Sequence, residues 1–270
     1  MLRSRKEKWA VVTGASSGIG LEFAKQLARQ GYPLLLVARR RKRLFYVEWK
    51  MREAGVKCEA LVADLAGEDG RKKLERWMGQ HEVEVFINNA GFGLAGSFSG
   101  TDLSREQEMI DLNVYTLHTL MKTALQAMKQ TGGGYILNVA SSAGLFPGGP
   151  YMATYYATKA YVASLTQGVA EELRLEGSSM YVGCLCPGPV NTEFNKVAEV
   201  QFALKGITPE LCVRTALKGM RKRKVVIVPT LTLKGAVLAG RLLPRGLAVR
   251  LVAKQQKKKL QSDTQEGSVL

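Results

Sequence analysis

Residues 9–20, WAVVTGASSGIG, run from a short apolar segment straight into a glycine-rich turn. Trp9 to Val12 has the composition of a buried strand, and Thr13-Gly14 ends it. From Ile19 the spacing becomes helical, with Ile19, Phe23, Leu27 and Ala28 on one face until Gly31. The glycines fall as G-x-x-x-G-x-G, which differs from the commoner G-x-G-x-x-G spacing of dinucleotide sites. Gly14, Gly18 and Gly20 nevertheless supply backbone without Cβ, so the chain can turn tightly and a pyrophosphate can approach the amides. The unpaired N–H groups and positive dipole end of the following helix suit an anion.

Working outward, the same alternation repeats. Pro33–Ala38 is an apolar run of the kind buried on both faces of a parallel sheet. Arg39 and Arg40 follow it, and no carboxylate stands between Gly31 and Val47. An acid at that strand end would bind a ribose 2′-hydroxyl, whereas an arginine accommodates a 2′-phosphate. NADP(H) is therefore the expected cofactor, with Arg39 as the phosphate ligand and Arg40 stacking or pairing beside it. A helix over 41–54 and a third strand over 57–63 lead to Asp64 and Leu65. Asp64 reads equally as the cap of the next helix or as an acceptor for an adenine amino group. Val83–Ile87 runs into Asn88, Asn89, Ala90 and Gly91, and a long helical pattern then covers 103–130 with Asn113 inside it. A mid-helix Asn is a poor helix former that the fold holds for a purpose or merely tolerates. Tyr135–Ala140 is the fifth strand, followed by Ser141 and Ser142; Tyr181–Leu185 is the sixth. A helix over 209–222 and a strand over 225–228 complete the series. The expectation is an α/β chain: one doubly wound Rossmann-type domain, residues 1–253, of about seven parallel strands with helices on both faces.

Composition agrees with a soluble globular class, at 46% hydrophobic and 23% charged residues. No apolar run reaches the roughly 18–20 residues of a membrane span. MLRSRKEKW is basic but lacks an apolar region of signal type, so a cytoplasmic location is expected. Cys58, Cys184, Cys186 and Cys212 lack metal-site spacing and read as reduced, buried thiols; with only His81 and His118 besides, no metal is expected. Of the net charge of +16, residues 39–43 supply five positive charges and residues 254–259 supply four. The chain shows neither basic residues interleaved with aromatics nor a helix-turn-helix pattern, so nucleic acid is not an expected partner.

Tyr155 and Lys159 lie four apart in a helical pattern that continues through Val162, Leu165 and Val169. Four apart means one face, and an ammonium beside a phenol favours the phenolate, lowering the phenol's pKa. TGASSGIG, NNAG, Asn113, Ser141, the Tyr155-x-x-x-Lys159 pair and PGPVNT at 187–192 occur in the order found in the short-chain dehydrogenase/reductase family, which the chain resembles over most of residues 9–192. The closest look is that of bacterial reductases without assigned substrates.

The resemblance implies that Tyr155 exchanges a proton with a substrate oxygen, Lys159 lowers its pKa and holds the nicotinamide ribose, and Ser141 hydrogen-bonds the same oxygen. Asn113 would hold a water linking Lys159 to solvent. Ser141 lies fourteen residues before Tyr155 where many members have thirteen, so Ser142 remains a second candidate; an insertion in LFPGGPYM would account for the difference. The implied cofactor contacts are Gly14, Ser16, Ser17, Gly18, Ile19, Gly20, Arg39, Arg40, Asp64, Leu65, Asn89, Ala90, Gly91, Tyr155, Lys159, Pro187, Gly188, Val190 and Thr192.

Residues 193–206 are expected to form a substrate lid, residues 230–253 one or two amphipathic helices broken at Pro244, and residues 254–270 a basic, loose tail. The amphipathic segment reads first as a cap over the substrate pocket or a subunit contact, and second as a face lying weakly on an anionic membrane. The expected activity is NADP(H)-dependent interconversion of a ketone and a secondary alcohol on a hydrophobic substrate (steroid, acyl or other lipophilic carbonyl), in a homodimer or homotetramer. The alternative is a non-catalytic NADP(H)-binding sensor or scaffold.

Overall fold

A computed structural model describes residues 7–194 and 206–266, with side chains to residue 257 in the last helix. Seven strands form one parallel sheet in the order β3-β2-β1-β4-β5-β6-β7. They are β1 (Trp9–Thr13), β2 (Leu34–Ala38), β3 (Cys58–Val62), β4 (Val83–Asn88), β5 (Tyr135–Val139), β6 (Tyr181–Leu185) and β7 (Val226–Ile227). Chain order reverses between β1 and β4, where open sheets of this kind place their ligands.

The helices are α1 (Gly18–Ala28), α2 (Arg41–Glu53), α3 (Glu68–Gln80), α4 (Leu103–Ile110), α5 (Leu117–Gln130), α6 (Ala153–Leu175), α7 (Pro209–Arg221), α8 (Leu231–Leu242) and α9 (Arg245–Glu266). Because successive strand residues point to opposite faces, β1 sends Ala10 and Val12 into one core and Val11 into the other. The first core packs Phe23 and Leu27 of α1, Leu44 of α2 and Val213 of α7 on the sheet. The second packs Leu74 of α3, Met109 of α4, Leu120 of α5 and Leu173 of α6. Each fully buried Leu or Phe contributes about 2 kcal/mol of transfer free energy, enough for these two layers to fix the sheet between them.

Two sequence expectations change here. The helical pattern over 103–130 is one continuous rod, but its middle, Asp111–Thr116, is a widened π-helical turn holding Asn113. Residues 254–266 continue α9 instead of forming a loose tail, since the run KQQKKKLQS contains no Gly or Pro to stop a helix. The break at Pro244 separates α8 from α9. Residues 195–205, most of the expected lid, lie outside the described residues.

Candidate active site

A cavity of about 640 Å³ opens at the C-terminal ends of the strands. At its floor stands the glycine turn. Gly14 and Gly18 have φ of +66° and +56°, a left-handed conformation that side-chain-bearing residues rarely adopt. A Cβ at Gly20 would lie 2.3 Å from the Gly14 carbonyl oxygen, so the turn closes on itself only without side chains. Thr13 ties this turn to β4 and was not singled out by sequence. Its Oγ1 accepts from the N–H groups of Asn89 (2.8 Å) and Ala90 (2.9 Å), while Asn89 Nδ2 donates back to the Thr13 carbonyl at 2.8 Å.

The arginine pair separates. Arg39 is drawn to Glu108 at 2.8 Å and lies 3.9 Å from Asp64. Arg40 turns onto the glycine turn, with Nε and Nη2 donating to Ser16 Oγ at 3.2 and 3.0 Å and Nη2 also to Ser17 Oγ. Arg40, not Arg39, is thus the guanidinium at the mouth of the turn, because Glu108 of α4 competes for Arg39. Arg40 and Arg43 also both donate to Glu193, and these bonds, Arg43's first, hold the Glu193 carboxyl down at about 2. Asp64 is not the cap of α3, whose N-cap is Gly67; its Oδ1 accepts from Ala66 N–H at 3.2 Å in a local turn at the cavity wall.

Deeper in, α6 presents Tyr155, Thr158 and Lys159, all buried. The Lys159 ammonium donates to the Val139 carbonyl at 3.0 Å and lies 5.9 Å from the Tyr155 ring centre. Burial pushes the Tyr155 phenol up to about 12, opposed by a hydrogen bond with the Ser141 side chain. Burial likewise pulls Lys159 down to about 8, with the Cys186 sulfur opposing. Desolvation disfavours both charged forms, so the phenol stands above its ordinary value instead of below it as the Tyr155–Lys159 spacing predicts. It is Ser141 whose side chain meets Tyr155; Ser142 opens a short 3₁₀ turn, and its N–H donates to Pro187 O at 2.8 Å.

The side chain of Asn113 is fully engaged as a donor. Nδ2 donates to Phe92 O at 2.8 Å and Thr158 Oγ1 at 3.2 Å, and Oδ1 accepts from Phe92 N–H at 3.1 Å. These bonds join the loop after β4 to α6, and they are made from the widened turn, as is common where such turns serve sites. Gly91 passes so close that an added Cβ would lie 2.6 Å from Asn113 Oδ1 and 3.4 Å from Lys159 Nζ. Ile19, Leu65, Pro187, Gly188, Val190 and Thr192 all line the same cavity. Thr192 packs on Gly18, where a Cβ would lie 3.2 Å from the Thr192 Cβ.

The remaining wall is apolar. Phe146, Met152 and Phe194 face it, with Leu233, Ala236 and Gly240 of α8 and Ala248 and Val252 of α9. Its one buried amide is Gln256, whose Nε2 donates to the hydroxyl of Tyr156 at 2.7 Å. Sequence reading passed over Tyr156 and Gln256, because nothing local marks two residues a hundred positions apart as a pair.

The glycine cradle and the open N-terminus of α1 suit the pyrophosphate of a nicotinamide dinucleotide, with the Arg40 guanidinium beside Ser16 and Ser17 at its edge. The chain is matched by the short chain dehydrogenase family model over residues 8–201. A very-long-chain 3-oxoacyl-CoA reductase of Anas platyrhynchos is 32% identical over 215 residues, covering 77% of this chain and 67% of that protein. Among solved structures, a short-chain dehydrogenase from Sphingobium yanoikuyae in complex with NADPH is 33% identical with a TM-score of 0.79, covering 87% of this chain and 93% of that one. A bulky-bulky ketone specific alcohol dehydrogenase from Comamonas testosteroni is 28% identical with a TM-score of 0.75, covering 87% and 92%.

Proposed function

The chain belongs to the short-chain dehydrogenase family of nicotinamide-dependent oxidoreductases, and on that premise we propose that it reduces a bulky lipophilic ketone, such as a long-chain 3-oxoacyl derivative, with NADPH. The observation that carries the reading is the placement of one buried phenol, Tyr155, against Ser141 between the polar glycine-turn end of the cavity and its apolar wall. The names of the relatives, a 3-oxoacyl-CoA reductase and a bulky-ketone dehydrogenase, point to substrates of that shape.

The glycine turn and the α1 N-terminus would hold the pyrophosphate, Arg40 with Ser16 and Ser17 the 2′-phosphate, and Lys159 the nicotinamide ribose. A bound nicotinamide contributes the hydride. Tyr155 donates its phenolic proton to the carbonyl oxygen as that oxygen gains charge, and the Ser141 hydroxyl donates a second hydrogen bond to it. Lys159, protonated, stabilises the phenolate that Tyr155 becomes. Phe146, Met152 and the inner faces of α8 and α9 exclude water and cap the apolar part of the substrate.

The test is loss of nicotinamide absorbance when the protein meets NADPH or NADH with long-chain 3-oxoacyl thioesters and bulky ketones, beside Tyr155→Phe. Turnover with NADPH that exceeds NADH and is lost in Tyr155→Phe supports the reading. Tight NADPH binding without turnover of any of these carbonyls would instead favour a sensor or scaffold.

A further inference from the structure

The geometry points to α8 and α9 as a docking face for a bilayer bearing anionic headgroups. Helix α8, LTLKGAVLAGRL, is largely apolar, yet of its residues only Val237 is buried. Leu231, Leu238 and Leu242 stand 82%, 61% and 80% exposed. At about 100° per residue, their spacing of seven and four aligns them in one stripe. Leu233, Ala236 and Gly240, which line the cavity, fall on the opposite side of the same helix. The leucine stripe thus has no part in packing the cavity wall and stands open to solvent.

Charge says what covers it. From residue 211 to residue 262 the sequence holds fourteen Lys and Arg and no Asp or Glu. Lys234 and Arg241 flank the leucine stripe within α8, and Arg245, Arg250, Lys254 and Lys257 extend the basic surface along α9. Among the described residues, none of the six forms an ion pair. A second copy seated on this face by two-fold symmetry would bring acid-free basic helices together, and like charges oppose that contact. A layer of anionic headgroups over hydrocarbon answers both features: leucines enter the interface while the basic stems reach the headgroups. No described helix is long and apolar enough to cross a membrane, so the contact is peripheral. Leu251 both lines the cavity and remains half exposed, which places an opening of the cavity beside this face.

Docking is measured without reference to turnover, so it stands or falls apart from the proposed reaction. The full-length protein is sedimented with vesicles of phosphatidylcholine alone or with about one third phosphatidylglycerol, beside Leu238→Ser/Leu242→Ser and Lys234→Gln/Arg241→Gln. Unchanged thermal midpoints establish that the variants fold, and sedimentation velocity records their oligomeric state. The expected result is binding to the anionic vesicles only, weakened at least about tenfold in each double variant. Absence of binding to anionic vesicles would overturn the inference, as would equal binding by the leucine variant, which would reduce the contact to unspecific charge. Loss of self-association in the leucine variant, with no vesicle binding by the wild type, would assign the face to a second copy instead.

Discussion

The Lys159 ammonium donates a 3.0 Å hydrogen bond to the Val139 carbonyl, pinning the helix that carries Tyr155 to the end of β5 through a buried cation. Burial that lowers Lys159 to about 8 means that keeping it charged costs the fold about 3 kcal/mol near neutral pH, net of the Val139 bond. Lys159→Met should therefore abolish turnover while raising unfolding stability by about 3 kcal/mol at pH 7. Below pH 8 folded and unfolded chains both carry the proton, so the difference is full. Between pH 8 and about 10.5 the unfolded wild type binds more protons than the folded one, its stability rises, and the gap closes. Denaturant unfolding at several pH values checks this, and a gap that stays constant to pH 10.5 would contradict it.

The same groups set the pH dependence of the reaction. Tyr155, raised to about 12, keeps its proton throughout the working range, whereas Lys159 loses its own as pH rises through about 8. Ketone reduction needs both protonated. Its kcat/KM should be level below pH 8 and fall about tenfold per pH unit above it, while alcohol oxidation, which needs the phenolate beside a protonated Lys159, should rise up to about pH 8 and level off beyond it. A profile for reduction that is flat to pH 10 would remove Lys159 from its role.

Cofactor choice should rest on Arg40. Its removal takes the guanidinium from Ser16 and Ser17, so Arg40→Ala should weaken NADPH about thirtyfold and NADH less than about threefold. Arg39→Ala should do less, since Arg39 is engaged by Glu108. Glu193→Gln should tighten NADPH, because the carboxylate that Arg40 and Arg43 now share would no longer compete with a phosphate. Fluorescence titration of the three variants with both cofactors decides the matter; equal losses for NADPH and NADH in Arg40→Ala would refute it.

Two glycines offer a contrast in packing. A methyl at Gly91 would press on Asn113 and Lys159, so Gly91→Ala should cost about 1–3 kcal/mol of stability and most of kcat. Gly168 sits inside α6 with nothing within 4 Å of an added Cβ, and Gly168→Ala should stabilise by about 0.5–1 kcal/mol without touching turnover. Thermal unfolding and steady-state rates of both variants test the pair.

All seven strands were legible in the sequence because each is a short, largely apolar run, and the glycine turn and the Tyr155–Lys159 spacing are local patterns. What escaped was decided at long range. The widened turn at Asn113 depends on bonds to Phe92, twenty-one residues away, and the division of labour between Arg39 and Arg40 depends on Glu108 and Glu193. The ordering of α9 past residue 254 was hidden by its charge, which reads as a tail when helix propensity is set aside. The Tyr156–Gln256 pair joins α6 to α9 across a hundred residues and leaves no periodic trace.

Every group proposed to handle a proton stands at or before Lys159, and the glycine turn is met by residues up to Glu193, while α8 and α9 meet the cavity with apolar side chains and glutamines 255 and 256. The proposed chemistry and a large part of the cavity's apolar wall therefore lie on separate stretches of chain. Exchanges in the last two helices should thus retune which molecule fits without displacing a reacting atom of the proposed site.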